Sequence, residues 1–267
     1  MDDVDGIPAA LWREVGLAEH RVLMLDYDGT LAPFRVVRDD AVPLPRSLEL
    51  LRSITASAHT SVGIVSGRPI EELMRLLGPL AAALMGEHGW ERRDRDGDIV
   101  REPLPAPIHE KLDAAEAIAR AQGWGERLER KRAGLVLHTR GLQSGEVHDI
   151  VARCAHAWLE PAAHPQMRLD RIDGGLELRA RGHDKGTAAR WLLSRHAPGT
   201  LGVFVGDDLT DEDAFKVVRE RGFGVRVGDS SRGSLAQAWL PSYRSVPAFL
   251  GEWLEVAERS QQRGRHS

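Results

Sequence analysis

Four apolar runs, at residues 22–25, 62–65, 201–205 and 222–227, constrain the fold more than any other feature of the chain. The first three are continuous rather than alternating, the pattern of strands buried on both faces, and polar or glycine-rich sequence follows them. Between the runs, apolar residues recur at helical spacing. Leu48, Leu51 and Ile54 mark one helix, and Ile70, Leu73, Met74 and Leu77 another, with Pro69 suited to its first turn. Residues 188–193 and the series Val246, Phe249, Leu250, Trp253 and Leu254 supply two more. Strands alternating with helices predict an α/β fold, a doubly wound parallel sheet.

The middle of the chain has a different grain. Residues 90–93 and 99–101 flank Asp96-Gly97, and residues 167–172 and 176–179 flank Asp173-Gly174-Gly175, which are hairpin signals. Residues 127–131 and 135–138 suggest a further strand pair, and Val147, Ile150, Val151, Cys154, Ala155 and Trp158 form a helical stripe. An α+β insertion in the α/β core is predicted, dividing the chain into 1–92, 93–177 and 178–267. The proline-rich residues 103–107 read as a loop within the insertion, and residues 260–267 as a frayed polar tail.

A net charge of -4 and a pI near 6.3 give no general attraction to nucleic acid. The basic cluster Arg127, Arg130, Lys131 and Arg132 is interleaved with Glu126 and Glu129 and lacks a stacking pattern, so no nucleic-acid partner is expected. A single cysteine, Cys154, excludes an intrachain disulfide, and its apolar setting predicts a buried thiol. Neither a signal peptide nor a membrane span is visible, so a cytoplasmic, membrane-free protein is expected, with a monomer favoured.

The chemistry lies where apolar runs end. Residues 22–25 lead into Asp26-Tyr27-Asp28-Gly29-Thr30, and a period of two puts Asp26 and Asp28 on one side if the backbone stays extended. Two carboxylates there repel unless a cation or proton intervenes; one could attack an electrophile while the other handles protons, with Mg²⁺ neutralising both and a phosphate. An Asp-Gly turn is the competing explanation. After residues 201–205 comes Gly206-Asp207-Asp208-Leu209-Thr210-Asp211-Glu212-Asp213, a second strand-end acidic cluster or a helix start. Ser66 follows the 62–65 run, where it is placed to cap a helix or to bind phosphate. Lys185 precedes a helical pattern, as a surface lysine or a clamp on phosphoryl oxygens.

Taken together and in order, these motifs resemble the haloacid dehalogenase (HAD) superfamily of phosphotransferases. More narrowly, Asp26 to Leu31, Ser66-Gly67-Arg68, His88-Gly89 and Gly206 to Phe215 resemble the trehalose-6-phosphate phosphatase family, as do Glu129-Arg130-Lys131 with Leu137 to Arg140, and Leu176 to Arg179 ahead of Asp184-Lys185-Gly186. The resemblance implies a Rossmann-like HAD core with an inserted α+β cap domain that closes over it, and Mg²⁺-dependent hydrolysis of a phosphorylated disaccharide. It further implies Asp26 as nucleophile and Asp28 as acid–base. Asp26, Asp28 (through its carbonyl), Asp207 and Asp211 would attend the metal, while Ser66, Lys185 and Thr30 would serve the phosphate. Glu129, Lys131, Glu177 and Asp208 would contact the sugar. The alternatives are a phosphatase of another sugar phosphate and a non-catalytic sugar-phosphate sensor. Lysine is scarce, with only four in the chain, and two of them, Lys131 and Lys185, fall on these motif positions.

Overall fold

The computed structural model describes residues 6–95, 97–172, 174–229, 231 and 233–264. Asp96 and Asp173 of the expected hairpin turns, and residues 265–267 of the expected frayed tail, lie outside them, while residues 260–264 of that tail are helical instead of frayed. The strands are β1 (Arg21–Leu25), β2 (Thr60–Val65), β3 (Ala83–Gly86), β4 (Glu91–Arg93), β5 (Val100–Arg101), β6 (Leu128–Arg130), β7 (Gly134–His138), β8 (Met167–Ile172), β9 (Gly175–Ala180), β10 (Leu201–Gly206), β11 (Gly222–Val227) and β12 (Ala238–Leu240). The helices are α1 (Ala9–Leu17), α2 (Pro45–Ala56), α3 (Ile70–Leu77), α4 (Ala106–Ala121), α5 (Ser144–Ala157), α6 (Leu159–Ala162), α7 (Lys185–Ser194), α8 (Glu212–Val218) and α9 (Val246–Gly264). Among the described residues no helix is long and apolar enough to cross a membrane.

The chain divides into two compact units, one of residues 1–100 with 184–267 and one of residues 101–183. The first is built on an eight-stranded sheet in the order β12-β11-β10-β1-β2-β3-β4-β5, parallel from β12 to β3. Alternation along β1 sorts its side chains. Leu23 and Leu25 join the apolar cluster that holds Leu11, Leu51, Leu73, Phe249 and Trp253 from α1, α2, α3 and α9. Val22 and Met24 join Ala189 and Leu192 of α7 and Phe215 of α8 on the other face. Both faces are therefore covered, which explains why the core strands read as unbroken apolar runs.

The second unit is a four-stranded antiparallel sheet, β6-β7-β9-β8, with α4 and α5 packed on it. Register puts Glu129, Val136, Glu177 and Asp170 in one row across the sheet, and Leu135 beside Leu178 in the row of opposite orientation. Trp158 donates from Nε1 to the Ala115 carbonyl (3.0 Å), tying the end of α5 to α4. Cys154 is buried among these helices, and burial pushes its thiol pKa up to about 12.

Three expectations change. Residues 103–107 are not all loop, because α4 starts at Ala106 with Pro107 in its first turn, where a missing N–H costs nothing. The β4–β5 strands extend the large sheet instead of the insertion, since β4 pairs antiparallel with β3. The unit boundaries consequently fall at 100/101 and 183/184, not at 92/93 and 177/178, and β9 stays whole within the second unit.

Candidate active site

Strand pairing continues one residue past β1, since the Asp26 N–H donates to the Val205 carbonyl (2.9 Å). Asp26 thereby keeps the parity of Val22 and Met24 and shares their face with α7. The first residue of α7 is Lys185, whose Nζ donates to Asp26 Oδ1 and to Asp211 Oδ1, each at 2.7 Å. A capping box fixes that helix start: the Thr187 N–H donates to the Asp184 carboxylate (2.6 Å), and the Asp184 N–H to the Thr187 hydroxyl (2.9 Å). Lys185 is held by its helix rather than hung from a loop.

Asp207 and Asp211 arrive from the end of β10. The Asp208 carboxylate caps the turn that follows by accepting from the Leu209 N–H (2.7 Å), and its own N–H donates to Asp211 Oδ2 (2.8 Å). The Thr30 hydroxyl lies 3.3 Å from Asp207 Oδ1 as donor. Gly29 has φ +82°, and a Cβ there would overlap the Asp207 carboxylate, so glycine is required on both counts. Arg226 of β11, itself buried, donates to the Asp207 carbonyl (3.1 Å) and to Glu212 (3.2 Å).

Oxygens of Asp26, Asp207 and Asp211 lie within 4.8 Å of one another. Three clustered carboxylates against one ammonium leave an excess of negative charge with little water to screen it. Burial pushes the Asp26 pKa up to about 7, with Lys185 pulling the other way. Burial also raises Asp211 above the ordinary carboxylate range, and it raises Asp207 well above that range, where the charges of Asp26 and Asp211 add to the effect. Lys185 is raised, because the attraction of Asp211 and Asp26 outweighs the burial that alone would lower it. The excess charge and the all-oxygen donor set fit a hard divalent cation.

Asp28 faces a different partner. Arg68 donates to it from Nε and Nη2, both at 2.7 Å, and from Nη1 to Glu72. The loop carrying Ser66 and Arg68 is moulded by residues 85–91. Ser66 N–H donates to the Met85 carbonyl, His88 N–H to the Ser66 carbonyl, and Glu87 N–H to the Arg68 carbonyl, at 2.9 to 3.0 Å. Glu87, His88 and Gly89 all have positive φ (45°, 58° and 105°), a conformation costly for the first two. A Cβ on Gly67 would come 2.8 Å from His88 Nε2, so the histidine ring sits directly on this loop. Pro69 precedes α3 as its cap residue instead of lying in the first turn.

In the second unit, the expected sugar-contacting residues are paired. Lys131 Nζ donates to Glu177 Oε1 (2.9 Å), and His138 Nε2 lies 2.8 Å from Glu129 Oε2. Asp170, next to Glu177 in register, accepts from Arg179 (2.9 Å) and Arg168 (2.7 Å). Sequence reading missed Glu72, Arg226 and Glu212 as supports of the site and gave Arg68 no role of its own. Arg68 lies before α3 and Glu72 in its first turn, so their spacing of four is not a helical pair and no periodic signal pointed to these residues.

A parallel sheet whose central strand ends in Asp26-x-Asp28, met by Lys185 and by Asp207 from the neighbouring strand, is the HAD-like hydrolase fold. The trehalose-phosphatase family profile matches residues 24–238, and the chain belongs to that family. It is 32% identical to the trehalose-6-phosphate phosphatase of Escherichia coli K12 over 91% of this chain and 88% of that one. It is 32% identical to the bifunctional trehalose-6-phosphate synthase/phosphatase of Thermoproteus tenax over 87% of this chain, but it spans only 32% of that longer protein. The solved C-terminal domain of the Candida albicans trehalose-6-phosphate phosphatase shares the fold, with a TM-score of 0.82 at 22% identity, covering 93% of this chain and 97% of that one.

Proposed function

We propose that the chain hydrolyses trehalose 6-phosphate to trehalose and phosphate, the closing step of trehalose synthesis, through a phosphoryl group carried on Asp26. The observation that carries this reading is the Lys185 ammonium 2.7 Å from both Asp26 and Asp211 at the end of β1. Asp26 attacks the phosphorus, and Asp28 gives a proton to the departing sugar oxygen. Asp28 then takes a proton from the water that attacks the aspartyl phosphate. Lys185 and Ser66 hold the phosphoryl oxygens, and Thr30 steadies the loop between the aspartates. Mg²⁺ would be held by Asp26, the Asp28 carbonyl and Asp207, with Asp211 alongside, and would supply charge neutralisation for the phosphate. Glu129, Lys131, Glu177 and Asp208 would contact sugar hydroxyls, which carboxylates and ammonium groups suit. A phosphorylated disaccharide is the small-molecule partner.

Phosphate release from a panel of sugar phosphates, by wild type and Asp26→Asn, with Mg²⁺ or chelator, tests the proposal. Wild type is expected to prefer trehalose 6-phosphate and Asp26→Asn to be inactive. Equal rates for the two proteins would overturn the mechanism, and a preference for another sugar phosphate would overturn the substrate.

A further inference from the structure

Arg68 is buried, and its guanidinium is braced on every side. Nε and Nη2 form a two-point fork on the Asp28 carboxylate, each at 2.7 Å. Nη1 reaches Glu72 in the first turn of α3 and lies 3.3 Å from the Arg38 carbonyl, while Arg38 Nη2 donates to the other Glu72 oxygen at 2.8 Å. The guanidinium carbon lies 5.0 Å from the centroid of the Tyr27 ring, whose hydroxyl is tied to the Ala41 carbonyl (2.7 Å). Neutralising Asp28 would take only one contact from a mobile side chain. A planar fork with its own supports fixes orientation as well as charge, and it leaves a lone pair on each carboxylate oxygen for a proton or a substrate.

We infer that Arg68, braced by Glu72 and Tyr27, is a positioning residue that holds the Asp28 carboxyl group in the orientation for proton transfer. This rests on the acid–base role proposed for Asp28. In the step concerned, an Asp26 oxygen forms its bond to phosphorus and the bond from phosphorus to the sugar oxygen breaks. The Asp28 proton moves to that oxygen, leaving Asp28 as a carboxylate. A sugar oxygen needs the proton to leave, whereas a nitrophenolate departs without it.

The test is kcat/KM for wild type, Arg68→Lys and Glu72→Gln, on trehalose 6-phosphate and on p-nitrophenyl phosphate. A positioned acid is worth about 10²–10⁴-fold, and a misdirected one loses part of that. Arg68→Lys is expected to lower the ratio of sugar-phosphate to aryl-phosphate kcat/KM by about tenfold or more. Glu72→Gln, which leaves both Asp28 and Arg68 in place, should lower the ratio by less and in the same direction. In an Asp28→Asn background, Arg68→Lys should change the ratio no further. Equal losses on both substrates in both variants would mean a purely structural role and would overturn the inference. A gain on the sugar phosphate would mean that the fork parks Asp28 away from the reaction, and would overturn it too. If wild type prefers a different sugar phosphate, that failure belongs to the substrate assignment, and the same ratio is read with the preferred one.

Discussion

Replacing Lys131 by Met tests whether the charges in the antiparallel unit hold it together. The Lys131 and Glu177 side chains are 9% and 2% exposed and meet at 2.9 Å. Unit charges about 4 Å apart attract by about 4 kcal/mol at an effective dielectric constant of about 20. Removing one partner of a buried pair costs up to about 3–5 kcal/mol, through the loss of that attraction in a poorly solvated setting. Met keeps the length and apolar volume of the lysine stem, so lost packing adds little. A loss of that size lowers the melting temperature by roughly 10 °C in a protein of this size. The assay is thermal unfolding of wild type, Lys131→Met, Glu177→Leu and the double variant. The double variant is expected to be more stable than Lys131→Met alone, with a coupling of about 2 kcal/mol or more. A Lys131→Met shift under about 2 °C, or additive single effects, would show the pair to be energetically slack.

Two further outcomes follow from the catalytic strand end. Gly29→Ala places a Cβ on the Asp207 carboxylate at φ +82°, so phosphate release should fall by at least about 100-fold while the far-UV spectrum is unchanged; wild-type activity would contradict the crowding seen there. The metal-free protein should lose stability as pH rises from about 4 to 7, because the folded state holds the Asp26 proton up to about 7 whereas an unfolded aspartate releases it near 3.8. The loss is roughly 4 kcal/mol at most and should shrink when Mg²⁺ is added. Melting curves from pH 5 to 8 in chelator check it, and stability that rises with pH would refute the excess of buried carboxylates over the one ammonium.

What was legible in the sequence was whatever two covered faces impose. The runs at residues 22–25, 62–65 and 201–205 read as buried strands and are core strands, and each marked the carboxyl end where Asp26, Ser66 or Asp207 stands. The short strands β3 and β12 carry too few residues for a pattern. Helix α4 escaped because its buried stripe, Ile108, Leu112, Ala115 and Ala119, is half alanine and begins amid prolines. The supports of the site were the least visible part. Arg68 meets Asp28 across 40 positions and Arg226 meets Glu212 across 14, separations that carry no periodic signal.

The split of the α/β unit into two segments gives the site a history as well as a shape. Strand β1 pairs with β10, and Asp26 precedes the lysine that neutralises it by 159 positions, with all of residues 101–183 in between. At roughly 5–20 residues per second, Lys185 leaves the ribosome about 10–30 s after the nucleophile. Until then Asp26 lacks the ammonium that pairs with it, and the flank of β1 stays open longer still, until β10 follows. Assembly of this active site is thus a late event in the life of the nascent protein, and a chain cut short anywhere before β10 is left with an exposed apolar strand edge at its centre.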